Sequence, residues 1–444
     1  MQRKRIAFHT LGCKLNFSET STISRQFGIK NFEIVDFAQE ADIYVVHTCS
    51  VTSTAEHKCR TSIKQAHKRN PGARVAVIGC AAQANPELFM KMEGVTWVLG
   101  NQDKFRLEEV ISHSLENGPE ADDGVTKVEE VSDISKSRTF IPSWSMNDRT
   151  RSFFKVQDGC DYFCTFCSIP FMRGRSRSES VENTMKVARE IASTNIREII
   201  LTGVNIGDFG RHQDEKLIDL LAQLENLDGI DRIRISSIEP ELLSDDIIQL
   251  VSKSSKLLPH FHIPLQAGTD KILSLMKRKY TLSTFSNRVK RIKELMPDAC
   301  IAADIIIGFP GETADDFEET LRFVEIQDIT YLHIFSYSER AGTKAVQMEG
   351  KVPETEKRRR SQVLHELSEQ KKEAFYASQI GQEFKVLWES DHVNGFMHGW
   401  TENYIHCRTP FDKNLINQIR ISRLVSVKRE KELICDVELM PHMY

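Results

Sequence analysis

Cys160, Cys164 and Cys167 lie in one short stretch, Cys160-Asp161-Tyr162-Phe163-Cys164-Thr165-Phe166-Cys167, with no fourth cysteine nearby. A closed structural zinc or iron–sulfur site takes four protein ligands. Three thiolates at C-x3-C-x2-C spacing suit instead a 4Fe–4S cluster with one iron left open to a small molecule. A zinc site completed by a distant His or Cys is the alternative. A second set, Cys13, Cys49 and Cys80, is spread along the chain, yet each member follows a stretch that reads as a strand: Ile6–Leu11, Tyr44–His47 and Val75–Ile78. In an open parallel sheet the carboxyl ends of strands lie side by side and ligands bind there, so these thiolates are expected to converge on one sheet edge. That makes a second three-ligand cage, with Gly12 and Gly79 allowing close backbone approach. Three separately buried cysteines are the competing reading. Cys59, Cys300, Cys407 and Cys435 have no such placement, and Cys300 and Cys435 read as packing residues.

The elements that must position these residues follow from the hydrophobic patterning. Residues 1–125 alternate strands (Ile6–Leu11, Ile43–His47, Arg74–Ile78, Thr96–Leu99) with helices (Glu19–Phe27, Ala55–Lys68), which predicts a small α/β domain with a parallel sheet. Residues 126–150 lack a sustained period and read as a linker. Over 151–376 the alternation restarts at larger scale. Strands are expected at Phe153–Val156, Glu198–Leu201, Arg232–Ile235, His260–Ile263, Ile301–Ile307 and Tyr331–Phe335, with helices such as Val181–Ala192, Leu217–Leu224, Ser283–Leu295 and Ala314–Val324 between them. Six such units are too few for an eight-fold barrel. After a charged helix, Lys351–Tyr376, residues 377–444 break into five short alternating strands, Gly381–Trp388, Gly395–His398, Tyr404–Arg408, Ile419–Lys428 and Leu433–Leu439, the pattern of a small all-β barrel.

Composition narrows the function classes. The chain has 444 residues, 40% hydrophobic and 27% charged, and no run reaches the ~18 apolar residues a membrane helix needs. The basic start, Met1-Gln2-Arg3-Lys4-Arg5, runs into a strand rather than a signal-peptide core, and ten cysteines in such a chain point to a reducing cytoplasm. Net charge is −4, but residues 271–293 carry eight Lys/Arg and no Asp/Glu, and residues 58–74 carry six and none. Basic patches in an acidic chain fit a directed phosphate-binding face; solvated helix faces are the bland alternative.

The three-cysteine loop, with an aromatic before its last cysteine, resembles the signature of radical S-adenosylmethionine (SAM) enzymes. The wider set Thr10-Leu11-Gly12-Cys13-Lys14-Leu15-Asn16, His47-Thr48-Cys49-Ser50-Val51-Thr52, Gly79-Cys80-Ala81-Ala82-Gln83, and Cys167-Ser168-Ile169-Pro170 followed by Arg173-Gly174-Arg175-Ser176-Arg177 is similar to the methylthiotransferases of that superfamily, over essentially the whole chain. The wording Cys-Lys-Leu-Asn and Cys-Ser-Val-Thr is most like the bacterial branch that modifies threonylcarbamoyl-adenosine at position 37 of tRNA. The isopentenyl-adenosine branch tends to have Gln-Met-Asn, and the ribosomal-protein branch Pro-Lys-Asn, after the first cysteine. One departure is His47, where Asn is usual before Thr-Cys.

The resemblance implies a partial (β/α)6 radical-SAM barrel between the N-terminal domain and a C-terminal TRAM barrel that binds RNA. It implies two 4Fe–4S clusters, on Cys160/Cys164/Cys167 and Cys13/Cys49/Cys80, with SAM on the open iron of the first. Acid–base residues cannot activate an adenine C2–H, whereas a SAM-derived radical can, with methylated sulfur coming from the second cluster. Candidate SAM contacts are Phe166, the strand-end residues Thr202, Gly203, Asn205, Ser237 and Gln266 within His262–Gln266, and Gly308. Arg173, Arg175 and Arg177 are candidate readers of phosphate or of the substrate's carboxylate; salt bridging to Glu179 or Glu182 is the alternative. In the C-terminal barrel, Trp400, Tyr404, Arg420, Arg423, Lys428 and Arg429 are candidate RNA contacts. Expected partners are the tRNA anticodon loop, a flavodoxin- or ferredoxin-like electron donor and a sulfide source, the chain acting as a monomer. Competing readings are methylthiolation of isopentenyl-adenosine or of a ribosomal protein, and an iron–sulfur RNA-binding protein without catalysis.

Overall fold

The computed structural model describes residues 3–28, 31–50, 53–116, 127–146 and 150–441. Its first sheet is built from β1 (Lys4–Thr10), β2 (Phe32–Val35), β3 (Ile43–Thr48), β4 (Arg74–Gly79), β5 (Val95–Leu99) and β6 (Val128–Glu130), all parallel, in the order β2-β1-β3-β4-β5-β6. Every residue of β3 and β5 is buried, as expected of a parallel strand covered on both faces. Tyr44, Val46, Ile63 and Phe89 pack on one side, and Ile23, Phe27, Trp97 and Ile111 on the other. Helix α1 (Lys14–Ser24) starts five residues earlier than its pattern suggested. Its buried positions include Asn16, Ser18, Glu19 and Thr20, with only Leu15 and Ile23 apolar, so it lacks the apolar stripe that marks a helix in sequence. The stretch 126–150 is more than a linker: β6 extends the first sheet, and β7 (Ser143–Trp144) pairs antiparallel with the first strand of the next domain.

That second domain carries six parallel strands: β8 (Arg151–Lys155), β11 (Glu198–Thr202), β12 (Arg232–Ile235), β13 (His260–Gln266), β14 (Cys300–Ile307) and β15 (Tyr331–Ser336). They form two ladders, β8-β11-β12 and β13-β14-β15, joined by the Ile233–Leu257 bridge. Alternation along each strand sends Phe154, Ile199, Leu201, Ile233, Phe261, Ile263, Ile305 and Leu332 outward into a large core beneath the helices. It sends the intervening residues inward, so the lumen is lined by Arg151, Glu198, Arg234, His260, His262, Asp304 and His333. A short antiparallel ribbon, β9 (Gln157–Asp158) with β10 (Arg177–Ser178), frames the three-cysteine loop. Helix α1 packs against β7 and β8.

The last five strands, β16 (Glu383–Val393), β17 (Phe396–Trp400), β18 (His406–Pro410), β19 (Ile419–Arg429) and β20 (Leu433–Leu439), close into a barrel in the order β16-β17-β18-β20-β19. The barrel sits under the amino-terminal ends of the lumen strands. Glu198 holds Arg232 and Arg234, each at 2.8 Å. These guanidinium groups donate to the carbonyls of Trp400 (3.0 Å), Thr401 (2.8 and 2.7 Å) and Glu402 (2.9 Å). Tyr404 stacks on His260 at 4.2 Å and on Trp400 at 4.5 Å. Trp400 and Tyr404, expected on the RNA face, are therefore committed to docking this barrel. No described helix is long and apolar enough to cross a membrane.

This docking surface predicts a pH response. His260 is buried, neither ring nitrogen has a hydrogen-bond partner among the described residues, and burial together with Arg234, Lys14, His262 and His333 holds its pKa well below 6.5. The unfolded chain takes up a proton below pH 6.5 that the folded state refuses, so stability falls as pH drops. One such group costs about 1.4 kcal/mol per pH unit over that window. Thermal unfolding of His260→Asn is expected to show a flatter pH dependence than the parent between about pH 7 and pH 5; parallel curves would show that His260 is not the group responsible.

Candidate active site

Cys13, Cys49 and Cys80 follow β1, β3 and β4, which are immediate neighbours: Thr10 pairs with His47, and Thr48 with Gly79. The three thiols therefore share the carboxyl edge of the sheet. Gly12 and Gly79 have φ of +100° and +97°. A Cβ on Gly12 would lie 2.8 Å from the Cys49 sulfur, and one on Gly79 would lie 2.5 Å from the His47 ring, so only glycine fits either cradle. Cys59, read as unplaced in sequence, backs the set: its sulfur accepts from the Cys49 N–H at 3.5 Å. His47, the departure from the usual motif, is buried and accepts from the Thr20 hydroxyl through Nδ1 at 2.8 Å or donates to it. It lies behind the cysteines rather than among them.

The second triplet is held by backbone. The Cys160 N–H donates to Gly174 O (3.1 Å) and the Cys167 N–H to Cys164 O (3.1 Å). Thr165 is fixed from both sides: its N–H donates to Met276 O at 3.1 Å, and its carbonyl accepts from Ala345 at 2.9 Å. A Cβ on Gly159 would fall 2.0 Å from Arg175 O, so the loop crosses the following backbone at glycine distance. Burial pushes the Cys160 and Cys167 thiols up to about 12, and each feels a neighbouring cysteine of the loop. Grouped thiols that resist ionisation alone are the donor set a polycationic iron centre would deprotonate and bind. Arg278 donates to the Cys164 sulfur at 3.1 Å and pairs with Glu239. Gln157 fastens this loop to the β11 loop: its Oε1 accepts from Val204 (3.0 Å) and Asn205 (2.8 Å), and its Nε2 donates to Gly159 O (2.8 Å).

The two triplets occupy facing elements. The helix Ile169–Arg173, which follows Cys167, packs against the helix Cys80–Ala84. Asn101 spans the join, donating to the Cys80 sulfur at 3.4 Å and to Met172 O at 2.7 Å. Behind it lies an ion cluster. Glu19 accepts from Lys104 (2.6 Å), Lys155 (2.9 Å) and Arg173 (3.1 and 3.0 Å), and Asp158 accepts from Arg173 at 3.0 Å. Burial alone would raise the Glu19 pKa; Arg173, Lys104 and Lys155 more than offset it and hold it well below 4.5.

This cluster corrects the arginine expectation. Arg173 is 1% exposed and saturated by Glu19, Asp158 and Asn16. Arg177 is spent on the carbonyls of Arg173 (2.6 Å), Arg175 (3.0 Å) and Thr139 (3.0 Å) and on Asp158. Both are structural, with partners other than the Glu179 or Glu182 foreseen. Arg175 alone reaches the surface, 3.5 Å from Asp161 and stacked on Phe163 at 4.6 Å.

A cavity of about 380 Å³ opens beside the loop, lined by Phe166, Cys167, Gln266, Asp304, Tyr337 and Arg340 among others. Two of the expected SAM contacts, Phe166 and Gln266, are on its wall. Thr202 ends β11, and Gly203 and Asn205 follow it in the loop. There a Cβ on Gly203 would lie 2.9 Å from Gln157 Oε1, while the Asn205 amide donates to Asp208 at 3.2 Å and its Oδ1 is without a hydrogen-bond partner among the described residues. Ser237 follows β12 and is half-buried. At Gly308 a Cβ would strike Lys357 at 2.4 Å, so the glycine also allows the close contact with helix Glu354–Ser378. Sequence reasoning missed Gln157 and Arg278 and left Glu239-Pro240 open between a contact and a simple strand stop; Arg278 stood in the basic stretch 271–293, whose charge count hid that it turns inward. In the last barrel Arg423 pairs with Glu383 at 2.8 Å and Arg429 with Glu373 at 2.8 Å, leaving Arg420 and Lys428 without an ion pair among the described residues.

Residues 154–324 match the Radical SAM superfamily and residues 5–100 an uncharacterised protein family, UPF0004. The chain is 38% identical over 426 residues (93% of this chain, 92% of the relative) to the threonylcarbamoyladenosine tRNA methylthiotransferase MtaB of Bacillus subtilis (strain 168). It is 32% identical over 376 residues (83% and 80%) to the tRNA-2-methylthio-N(6)-dimethylallyladenosine synthase of Syntrophus aciditrophicus (strain SB). The fold resembles TsrM, a radical S-adenosylmethionine methyltransferase of Kitasatospora setae, at 13% identity and a TM-score of 0.54 over 75% of this chain and 73% of that one.

Proposed function

The chain belongs to the radical SAM tRNA methylthiotransferases, and from that premise we propose that it adds a methylthio group to C2 of N6-threonylcarbamoyladenosine at position 37 of tRNA. The observation that carries this reading is the meeting of two incomplete thiolate sets on facing elements. An adenine C2–H is neither acidic nor a leaving group, so no arrangement of side chains alone can exchange it. When bound, a 4Fe–4S cluster with SAM on Cys160, Cys164 and Cys167 supplies hydrogen-atom abstraction, and a second cluster on Cys13, Cys49 and Cys80 supplies the sulfur.

The chain's own residues bind, orient and exclude. The backbone clamps on Cys160, Thr165 and Cys167 fix one triplet, and the glycine cradles at Gly12 and Gly79 the other. Phe166 and Gln266, on the wall of the adjoining cavity, would hold the nucleoside of SAM. The docked β-barrel closes the far end of the lumen, which keeps bulk water from the reacting base. The base leaves its stack to enter, and Arg175 with the outer face of the β-barrel (Arg420, Lys428) tracks the RNA backbone. The enzyme works as a cytoplasmic monomer, with a flavodoxin- or ferredoxin-like reductant and a sulfide source.

Nucleoside mass spectrometry of tRNA from cells lacking this protein tests the reading. The methylthio-threonylcarbamoyl nucleoside should vanish while its unthiolated precursor accumulates. Its persistence would remove the substrate assignment.

A further inference from the structure

The inward faces of β13, β14 and β15 carry a cluster that the reaction as described leaves without a task. Asp304 and His333 stand directly opposite one another in the β14–β15 ladder. His262 pairs with Ala302 in the β13–β14 ladder, which places it diagonally across from Asp304. Residues two apart on a strand share a face, so this register brings all three side chains together on the lumen side. One donor atom from each, two imidazole nitrogens and a carboxylate oxygen, lies within 4.8 Å of the others. His262 Nε2 is 2.8 Å from Asp304 Oδ1, and the two imidazole rings are 5.1 Å apart. Asp304 also lines the cavity beside the three-cysteine loop, as do Ile306 and Phe335, the next inward residues of β14 and β15. The cluster therefore forms part of the cavity floor, with His333 one inward position deeper than Phe335.

A His–Asp hydrogen bond alone is an ordinary structural pair, but it accounts for neither of two features. The Asp304 side chain is only 18% exposed, yet among the described residues no Lys or Arg pairs with it. Glu198 and Glu239, the acids that share this interior, each hold arginine. The His333 ring, opposite that carboxylate, has no hydrogen-bond partner among the described residues. A carboxylate so far withdrawn from water is costly unless a cation brings the missing positive charge.

Two imidazoles and one carboxylate are a donor set that divalent first-row metals take, and zinc binds such donors at about 2.0–2.2 Å. Closing the cluster to those distances needs side-chain rotation, and His333 is exposed, with room to turn. We propose that His262, Asp304 and His333 form a divalent-cation site in the floor of this cavity, separate from both cysteine triplets. Three protein donors leave coordination positions open, as in catalytic rather than structural metal sites, and water fills them in the free enzyme. The site stands on these three side chains whichever nucleoside the enzyme modifies.

Mn2+ tests it on the anaerobic holoenzyme, because this ion favours nitrogen and oxygen donors over thiolates and the cysteine triplets already carry iron. Titration followed by the paramagnetic resonance of free Mn2+ should show one bound ion per chain, displaced by stoichiometric Zn2+, which binds such donors more strongly. Spin-echo modulation of the bound Mn2+ should show imidazole nitrogen, a reading that needs no variant. His333→Ala and Asp304→Asn should each weaken Mn2+ binding at least about tenfold while keeping the parent's iron content. If a variant loses iron, the parent's nitrogen signal decides alone. Failure of the parent to hold Mn2+, affinity unchanged in the two iron-replete variants, or a bound ion without nitrogen coupling overturns the site.

Discussion

Changing Cys13, Cys49 and Cys80 together to alanine is expected to lower iron in anaerobically prepared protein from about eight to about four atoms per chain, as one four-iron cluster of two is lost. Methylthio product should fall to background while SAM is still cleaved to deoxyadenosine on reduction. Alanine at Cys160, Cys164 and Cys167 should abolish both products. The separation follows from the structure: the two triplets are carried by different domains, and each is held by its own backbone contacts. If the first variant kept its full iron, or if deoxyadenosine were lost with either triplet alone, the division of labour would be wrong.

Glu19→Gln is expected to be the most damaging single polar substitution. The carboxylate is fully buried and is the common acceptor for Lys104 of its own domain and for Lys155 and Arg173 of the next. Glutamine keeps the shape and removes the charge, leaving three buried cations with Asp158 as their remaining acid. Removing one partner of a buried ion pair costs about 3–5 kcal/mol. In units of this size that lowers the unfolding temperature by roughly 10 °C. The pH dependence carries a sign. Because the folded-state pKa of Glu19 lies well below 4.5, its contribution is present above that pH and is lost as pH falls toward the folded value. Calorimetry should therefore show the parent losing stability below about pH 4.5 and Glu19→Gln losing less over the same range. A variant that melts within about 2 °C of the parent would mean the cluster contributes no net stability.

Much of the site was legible because it depends on local order. The C-x3-C-x2-C loop is set by spacing alone. The other triplet could be assembled on paper because β1, β3 and β4 are short apolar runs that end in a cysteine, and parallel strands align their ends. Even the five strands of the last barrel fell close to their expected places, each bounded by turn residues. The misreadings share a cause. Helix α1, Arg173, Arg177, Trp400 and Tyr404 are read from residue type, on the assumption that polar and aromatic groups face solvent or ligand; Arg177 instead ties down the loop of its own domain, and the others face another domain.

The amino-acid sequence by itself determined which thiols form sets and which strands carry them, because strand ends, glycine turns and short-range spacing are properties of neighbouring residues. Only the tertiary structure decided which charges are free. Glu19 binds cations that lie 85, 136 and 154 residues away, and Arg173 is consumed by acids contributed by two domains. Whether a cation serves stability or substrate depends on what lies within a few ångströms of it, and that is set by how the three domains dock.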